Sequence, residues 1–513
     1  MLGFERRRDS RDFIEIGGYI QNLSTELDES QVERVKKCKR YWNFYEGYHW
    51  EDMPDVDTPE VTINYCAAFV NKFVAFELGK GFSFAAHKDW ENSIVTNDGR
   101  TLFEYLEDVW EDNNQYIFAT ELGQMKSVTG ESWVQVSYYS PEELDDPYGE
   151  YPNGRLKLLL QPTNVIFPEY DPHQKGVLSR LSLIYSYWDY ENTGILVRKP
   201  RKVLRTFKQV WTKDEVATYD GRTGVEPVVT PNKYGVIPFI QIKNIVLAGH
   251  NDGRSDLEDI VPMNTEFNIK KSNVSEILDY HAAPVTLVFG AKIGNLEKGA
   301  NKLWGGLPKD AKVQNLELNG DLAASQSYLN STKQEMCEIS GVPETVLGGA
   351  ASISNTSGVA LQYMNLPLIE KTRTKRQATE DGLERLNKLI LLVSLLEGLI
   401  TKPTEAPLRD FFHTEVSLPD TLPKDELLEL QQIQIELTLG LETRAGALKR
   451  MGREDIERKL EEIDRERKEH PEFFGGQPNA PQLNSGMTNG QTPQETLNVE
   501  MTGQNVSSAQ REE

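Results

Sequence analysis

The densest set of residues able to do chemistry is Lys371, Arg373, Lys375 and Arg376. Cations at this density can grip phosphate, because each neutralised phosphate releases its counterions. The four span just over one helical turn, so their side chains fan around the helix instead of forming one stripe. Two readings stand for them: a phosphate-facing cluster, or a face held by salt bridges in solvent or to a neighbouring subunit. The second set is acidic. Over residues 251–282, Asp252, Asp256, Glu258, Asp259, Glu266, Glu276 and Asp279 stand against Arg254, Lys270 and Lys271. Such a surface repels phosphate.

Nothing in the sequence points to catalysis. Gly79-Lys80-Gly81 lacks the upstream glycine and the Ser/Thr of a phosphate-binding loop. There is no HExxH, EF-hand loop, GxSxG elbow or dinucleotide fingerprint. His49, His87, His173, His250, His281, His413 and His470 are dispersed, without metal-ligand spacing. Cys38, Cys66 and Cys337 form neither a disulfide framework nor a metal knuckle. No catalytic residue, cofactor or metal is assigned. An enzyme whose active site is scattered through the first half remains one alternative, and a non-ring scaffold protein another.

The elements that must carry these residues follow from periodicity. Residues 26–49 and 63–79 read as helices, the second ended by Gly79 and Gly81. Residues 101–128 read as helical throughout. From about 130 the period drops to two, with short strands at 132–140, 156–162, 182–188, 195–199, 203–211, 215–219 and up to about 244. Near 253 a long helix is expected, with Ser255 as N-cap, Glu258 completing a capping box and Pro262 as a kink. A small β insert follows, then a helix from about Leu322 to the Gly341-Val342-Pro343 breaker. Thr345 to Ile369 contains no charged residue, although 25 residues at 26% charged would carry about six. This stretch opens on the small, flexible residues of 345–357. It then enters a long helix at Ser357–Gly358, with Pro367 as a kink, running to about 400. A strand is expected in 411–418 and two or three charged helices in 424–470. The residues from Gly475 onward lack aromatics and read as disordered.

Composition sets the limits. The chain has 513 residues, with 56 Lys+Arg against 79 Asp+Glu, a net charge of −23. That length suggests about three domains. The acid excess argues against tight, static DNA binding but suits a surface that DNA slides past. The most apolar run, 389–400, has 12 residues and includes Ser394 and Glu397. A bilayer span needs about 20, so no membrane role is expected. The N-terminal residues do not read as a secretory signal, and a reducing cytoplasm is the expected site of synthesis.

The order of parts resembles the portal (connector) proteins of tailed bacteriophages, in the long-tailed branch of Gram-positive hosts. Its carriers are INYCAAFVNKFVAFELGKGFSF, the helix opening SDLEDIVPMNTEFN, the GVPE turn and the helix opening SGVALQYMNLPLIEK. The resemblance runs over about residues 40–440 and implies an α+β, portal-type fold. It divides the chain into a mixed wing (1–250), long stem helices (251–282 and 322–344), a small αβ clip insert (283–321), a tunnel loop (345–357), a long kinked wing helix (358–400), a helical crown (401–474) and a tail (475–513). It implies a homo-oligomeric ring, usually a dodecamer, at one capsid vertex of the virion, assembled in the host bacterial cytoplasm. Implied partners are dsDNA in transit, the terminase large subunit, the major capsid and scaffolding proteins and the head–tail adaptor. On the residues, it makes Leu347, Gly348, Gly349, Ser352, Ser354, Asn355, Thr356 and Ser357 the DNA-facing tunnel loop. Asp256, Glu258, Asp259 and Glu266 become acidic channel-wall residues, and Lys371, Arg373, Lys375 and Arg376 the phosphate-facing cluster.

Overall fold

The computed structural model describes residues 27–51, 60–144, 146–174, 176–191, 201–220, 226–282, 286–289, 310, 312–315, 322–348, 363–419, 426–450 and 456–469. The chain divides into two compact units after Pro423.

In the first unit, helix α1 (Glu29–Glu46) starts at a capping box between Asp28 and Gln31 and stops at left-handed Gly47. Helix α2 (Tyr65–Leu78) is capped by Asn64, which accepts from the Ala67 amide. Strand β1 (Ser83–Ala86) follows. The expected single helix of 101–128 is two: α3 (Leu102–Asp112) and α4 (Gln115–Thr129). Asn113 and Asn114 separate them, and Asn114 sits at φ 52°. Asparagine tolerates that left-handed geometry better than other non-glycine residues.

Three strands form the sheet β3-β2-β9, from Glu131–Tyr139 (β2), Arg155–Gln161 (β3) and Phe239–Lys243 (β9), all antiparallel. A five-stranded meander holds β4 (Ile166–Tyr170), β5 (Leu178–Glu191), β6 (Arg201–Trp211), β7 (Glu215–Tyr219) and β8 (Val228–Pro231) in chain order. The strand expected at 195–199 lies outside the described residues. Short strands β10 (Ile245–Val246) and β11 (Gly253–Arg254) pair next to Gly130. Gly130 has φ 96°, and a Cβ there would strike the Gly253 carbonyl.

Helix α5 (Ile260–Ala282) begins later than expected. Ser255 is not its N-cap: its hydroxyl donates to the Val128 carbonyl at 2.6 Å and accepts from the Leu257 amide at 3.0 Å. Pro262 falls in the first turn, where a missing N–H costs nothing, so no kink is needed. Along α5, Asn264, Asn268 and Ser272 recur every four residues and are buried. They accept from the backbone amides of Cys66, Ile63 and Val61 at 3.2, 3.0 and 3.0 Å, satisfying an extended segment that has no sheet partner of its own. Strands β12 (Thr286–Phe289) and β13 (Lys312–Asn315) pair antiparallel within the expected insert. Helix α6 (Leu322–Ser340) then returns along α5.

Helix α7 (Leu366–Leu396) starts at Leu366, with Pro367 in its first turn; Pro367 is a start and not a kink. Gly382 lets α7 lie close on β9, since a Cβ there would come within 2.7 Å of the Ile242 side chain. A short helix α8 (Leu408–Phe411) leads into β14 (Thr414–Ser417), which pairs with β1. Residues 401–419 therefore belong to the first unit and not with the helices that follow, which moves the boundary expected at 401 to 423/424.

Two main cores result. One gathers α3, α4, β2, β3 and the second half of α7 around Trp110, Leu122, Val134 and Leu386. The other joins α1, α2, the start of α5, α6 and the start of α7 around Phe69, Phe73, Ile260 and Met336. In the second unit, α9 (Glu426–Leu439), α10 (Arg444–Arg450) and α11 (Ile456–Glu469) carry the charged pattern, with Gly440 at φ 70° between the first two. Ile433 and Ala447 are buried there, and Arg450 pairs with Glu436.

Candidate functional site

The inner stripe of α7 reads Leu368, Thr372, Lys375, Thr379, Leu383 and Leu386, all buried. Helical spacing puts Lys375 in the interior as surely as the leucines. A buried ammonium needs partners, and other elements supply them. Asp256, in the turn between β11 and α5, accepts from Lys375 Nζ at 2.7 Å. Glu77, at the end of α2, lies 3.5 Å from the same nitrogen. Glu77 is paired in turn with Lys126 of α4, and Thr379 donates to Glu77 at 2.7 Å while accepting from Lys126 at 2.7 Å. Ser127 and Asn244 donate to Asp256 Oδ2 at 2.6 and 3.0 Å. Lys371, one turn before Lys375, stands 3.4 Å from Asp256 Oδ1 and donates to the Ser340 carbonyl at the end of α6 at 3.0 Å. Phe73 underlies both ammoniums, its ring centre 4.4 Å from Lys371 and 4.7 Å from Lys375.

Three ammoniums thus meet two carboxylates where α2, α4, α6, α7 and the approach to α5 converge. Burial opposes every charge in the joint, and the partners decide the outcome. Burial works to raise the Asp256 carboxyl, but Lys375, Lys371 and the hydrogen bonds hold it down at about 2. Glu77 is likewise lowered against its burial by Lys126 and Lys375. Lys375, between two carboxylates, is raised against its burial. Lys126 and Lys371 are lowered, burial being the largest cause for each. The joint is charged and desolvated, and every charge in it faces an opposite one. It holds no nucleophile–base pair, and it can fix elements in place.

Two sequence expectations change accordingly. Asp256 has no exposed side-chain surface, so it is not a channel-wall acid. Lys375 is 1% exposed and is not phosphate-facing. The rest of the basic cluster is dispersed as well. Lys371 is half-buried on Phe73, Arg376 donates to the carbonyls of Leu418 and Pro419, and Arg373 is exposed. Of the other acids, Glu258 meets Lys37 at 2.7 Å and Arg254 at 2.9 Å, Asp259 meets Arg254 at 2.7 Å, and Glu266 meets Lys270 at 3.4 Å. Leu347 is half-buried against the second core, and Gly348 closes a turn at φ 91°. Gly349, Ser352, Ser354, Asn355, Thr356 and Ser357 lie outside the described residues.

Sequence reasoning missed Glu77, Lys126 and Thr379. The available signal was a single acid ending the apolar run of α2. Among the described residues no group of His, Cys, Asp and Glu could hold a metal ion, and no helix is long and apolar enough to cross a membrane. All three cysteines are buried thiols.

A family model described as "Phage portal protein, SPP1 Gp6-like" matches residues 24–472. The chain therefore belongs to the phage portal protein family, and its mixed helix-and-sheet fold agrees with the α+β expectation. No curated protein sequence matches it. Among solved structures it is similar to a chain in the neck of an empty gene transfer agent particle computed with C6 symmetry. Identity is 13% and TM-score 0.42, over 83% of this chain and 94% of that one. A chain of the virion of the native gene transfer agent particle gives 12% and 0.41 over the same shares. One from the native neck computed with C12 symmetry gives 12% and 0.38, over 75% and 89%. Likenesses this distant carry no argument about function.

Proposed function

We propose that the protein is the portal of a tailed phage: a ring at one capsid vertex through which dsDNA is packaged and later leaves. The observation that carries this reading is the family match over residues 24–472. In it, α5 and α6 form the stem, residues 283–321 the clip that meets the terminase large subunit and then the head–tail adaptor, and residues 345–357 the tunnel loop. The first 250 residues and α7 form the wing, and the second unit belongs to the crown. Capsid and scaffolding proteins surround the ring in the host cytoplasm, and it remains in the virion. The long-tailed phages of Gram-positive hosts are the branch its order of parts fits best.

The chain itself does no catalysis in this reading; the motor that hydrolyses ATP is a partner. A conduit must touch DNA without holding it. The charge-free residues of 345–357 suit that task, because they offer phosphate no counterion exchange. Glu258 and Asp259 in the turn before α5, and Glu266 on it, are each matched to a basic neighbour, so this segment presents mixed charge where phosphate passes.

The test is packaging with altered loops. Shortening residues 349–357 is expected to leave rings intact and lower the DNA packaged per particle. Ser352→Arg with Ser354→Arg is expected to slow translocation, and more so at low salt. Wild-type packaging by both variants would remove the DNA-facing role. Robust ATP hydrolysis copurifying with rings of the isolated protein would overturn the non-enzymatic reading.

A further inference from the structure

Helices α5 and α6 are buried at one end and bare at the other. Ile260, Val261, Asn264, Phe267, Asn268 and Ser272 of α5 are buried, as are Leu329, Met336 and Ser340 of α6, whereas Leu278 and Tyr328 are about half exposed. The pair is thus rooted at the ionic joint. At that root lies a recess of about 220 Å³, walled by Ser255, Asp256, Ile260, Ile339, Ser340 and Lys371. At roughly 30 Å³ per molecule, it has room for several waters. Asp256 Oδ1 is buried behind this wall and receives no hydrogen bond, its nearest cation being Lys371 Nζ at 3.4 Å.

The two lysines of α7 that meet this root differ in kind. Lys375 is clamped by two carboxylates and is almost wholly buried. Lys371 is about a quarter exposed, and its one close hydrogen bond is to the Ser340 carbonyl. It is the third ammonium of a set with two carboxylates. Its charge is compensated by Asp256 Oδ1 at 3.4 Å, which it shares with Lys375, and by the partial negative charge of the α6 C-terminus. The bond between α6 and Lys371 can therefore open without stripping Asp256 or Glu77 of their main partner. The recess beside it gives the helix end somewhere to go without opening a void in a packed core.

We propose that Lys371 is the pin of a hinge on which the α5–α6 pair swings against the body of the subunit, with the recess as its clearance. Lys371 is a positioning residue. Its removal frees the last turn of α6 and leaves α2, α4 and α7 in place.

Hydrogen exchange by mass spectrometry on the assembled full-length protein tests this, whether or not the ring carries DNA. Lys371→Met keeps the aliphatic stem over Phe73 and loses the charge. It is expected to speed exchange in 333–341 roughly tenfold, the worth of a charge-assisted hydrogen bond, with 375–395 and 65–78 unchanged. Lys371→Arg is expected to restore protection. Lys375→Met is expected to speed exchange in α2, α4 and α7 together. The hinge is overturned if Lys371→Met leaves 333–341 protected, if it loosens all these helices equally, or if it fails to fold while Lys371→Arg folds.

Discussion

The two halves of α7 solve the same burial problem with different chemistry. Its second half enters the first core as Leu383, Leu386, Leu389, Ile390, Leu391 and Val393, all buried. The few polar groups there are neutral and locally paired: Asn387 accepts from the Trp110 indole at 2.9 Å and donates to Thr414 at 3.3 Å, and Ser394 accepts from the Tyr105 hydroxyl at 2.8 Å and donates to the Ile390 carbonyl at 2.7 Å. Its first half enters the second core as Thr372, Lys375 and Thr379 and is held by charge. An apolar contact tolerates small slips, because dispersion and burial fall off gradually. A desolvated ion pair does not, because its strength depends on geometry and on every partner being present. The apolar half supplies bulk stability. The ionic half sets where α2, α4, α6 and the approach to α5 stand relative to one another. On the portal reading proposed above, those elements would aim the helix pair.

That contrast can be broken most severely at its ionic side. Lys375→Met removes the closest cation of buried Asp256 and leaves Glu77 with Lys126 alone, and a loss of about 3–5 kcal/mol is expected in chemical denaturation. Asp256→Ala is expected to cost a similar amount, and the double variant less than the sum. Additive losses would mean that the two residues do not act as a pair. On the apolar side, Ile390→Ala is expected to cost about 2–4 kcal/mol, without the coupling to Asp256 that Lys375 shows. A full interaction term between positions 390 and 256 would erase the distinction.

Acid sharpens the same contrast. Asp256 has a folded value of about 2 against 3.8 for a free aspartate. A lowered carboxylate contributes stability that is fully present above the ordinary value and is lost as pH falls toward the folded one. Stability is therefore expected to drop between about pH 4 and pH 2. Asp256→Asn is expected to be less stable at neutral pH and to flatten that slope; an unchanged slope would assign the acid sensitivity elsewhere. Smallest of all, Asp259→Asn removes an exposed partner of Arg254 and is expected to shift stability by less than about 1 kcal/mol. Deleting residues 475–513 is expected to leave ring assembly unchanged, and its loss would favour a scaffold reading of the tail.

The helical pair and the strand-rich middle were legible because their periods are long and their breakers plain. Gly79 ends α2 and Gly341-Val342-Pro343 ends α6, whereas the helix read as 26–49 stops earlier, at left-handed Gly47. The break at Asn113–Asn114 was not legible, since it rests on one residue entering a left-handed conformation inside an otherwise continuous helical pattern. The start of α5 was misread because Ser255 and Glu258 match a capping box in spacing, while the fold spends both on other partners. The basic cluster was seen but misjudged as a surface. Lys375 continues the stripe Leu368, Thr372, Thr379, Leu383, which marks it as an inward residue. Its counter-charges Asp256 and Glu77 lie more than a hundred residues away, and no local pattern links them.

The portal reading stands or falls on assembly. The direct measurement is particle mass and projection shape of the full-length protein made together with its capsid and scaffolding proteins. The account predicts rings of about a dozen identical copies, related head to tail around an open central channel. A uniform monomer or dimer under those conditions, with no ring at any capsid vertex, would contradict it.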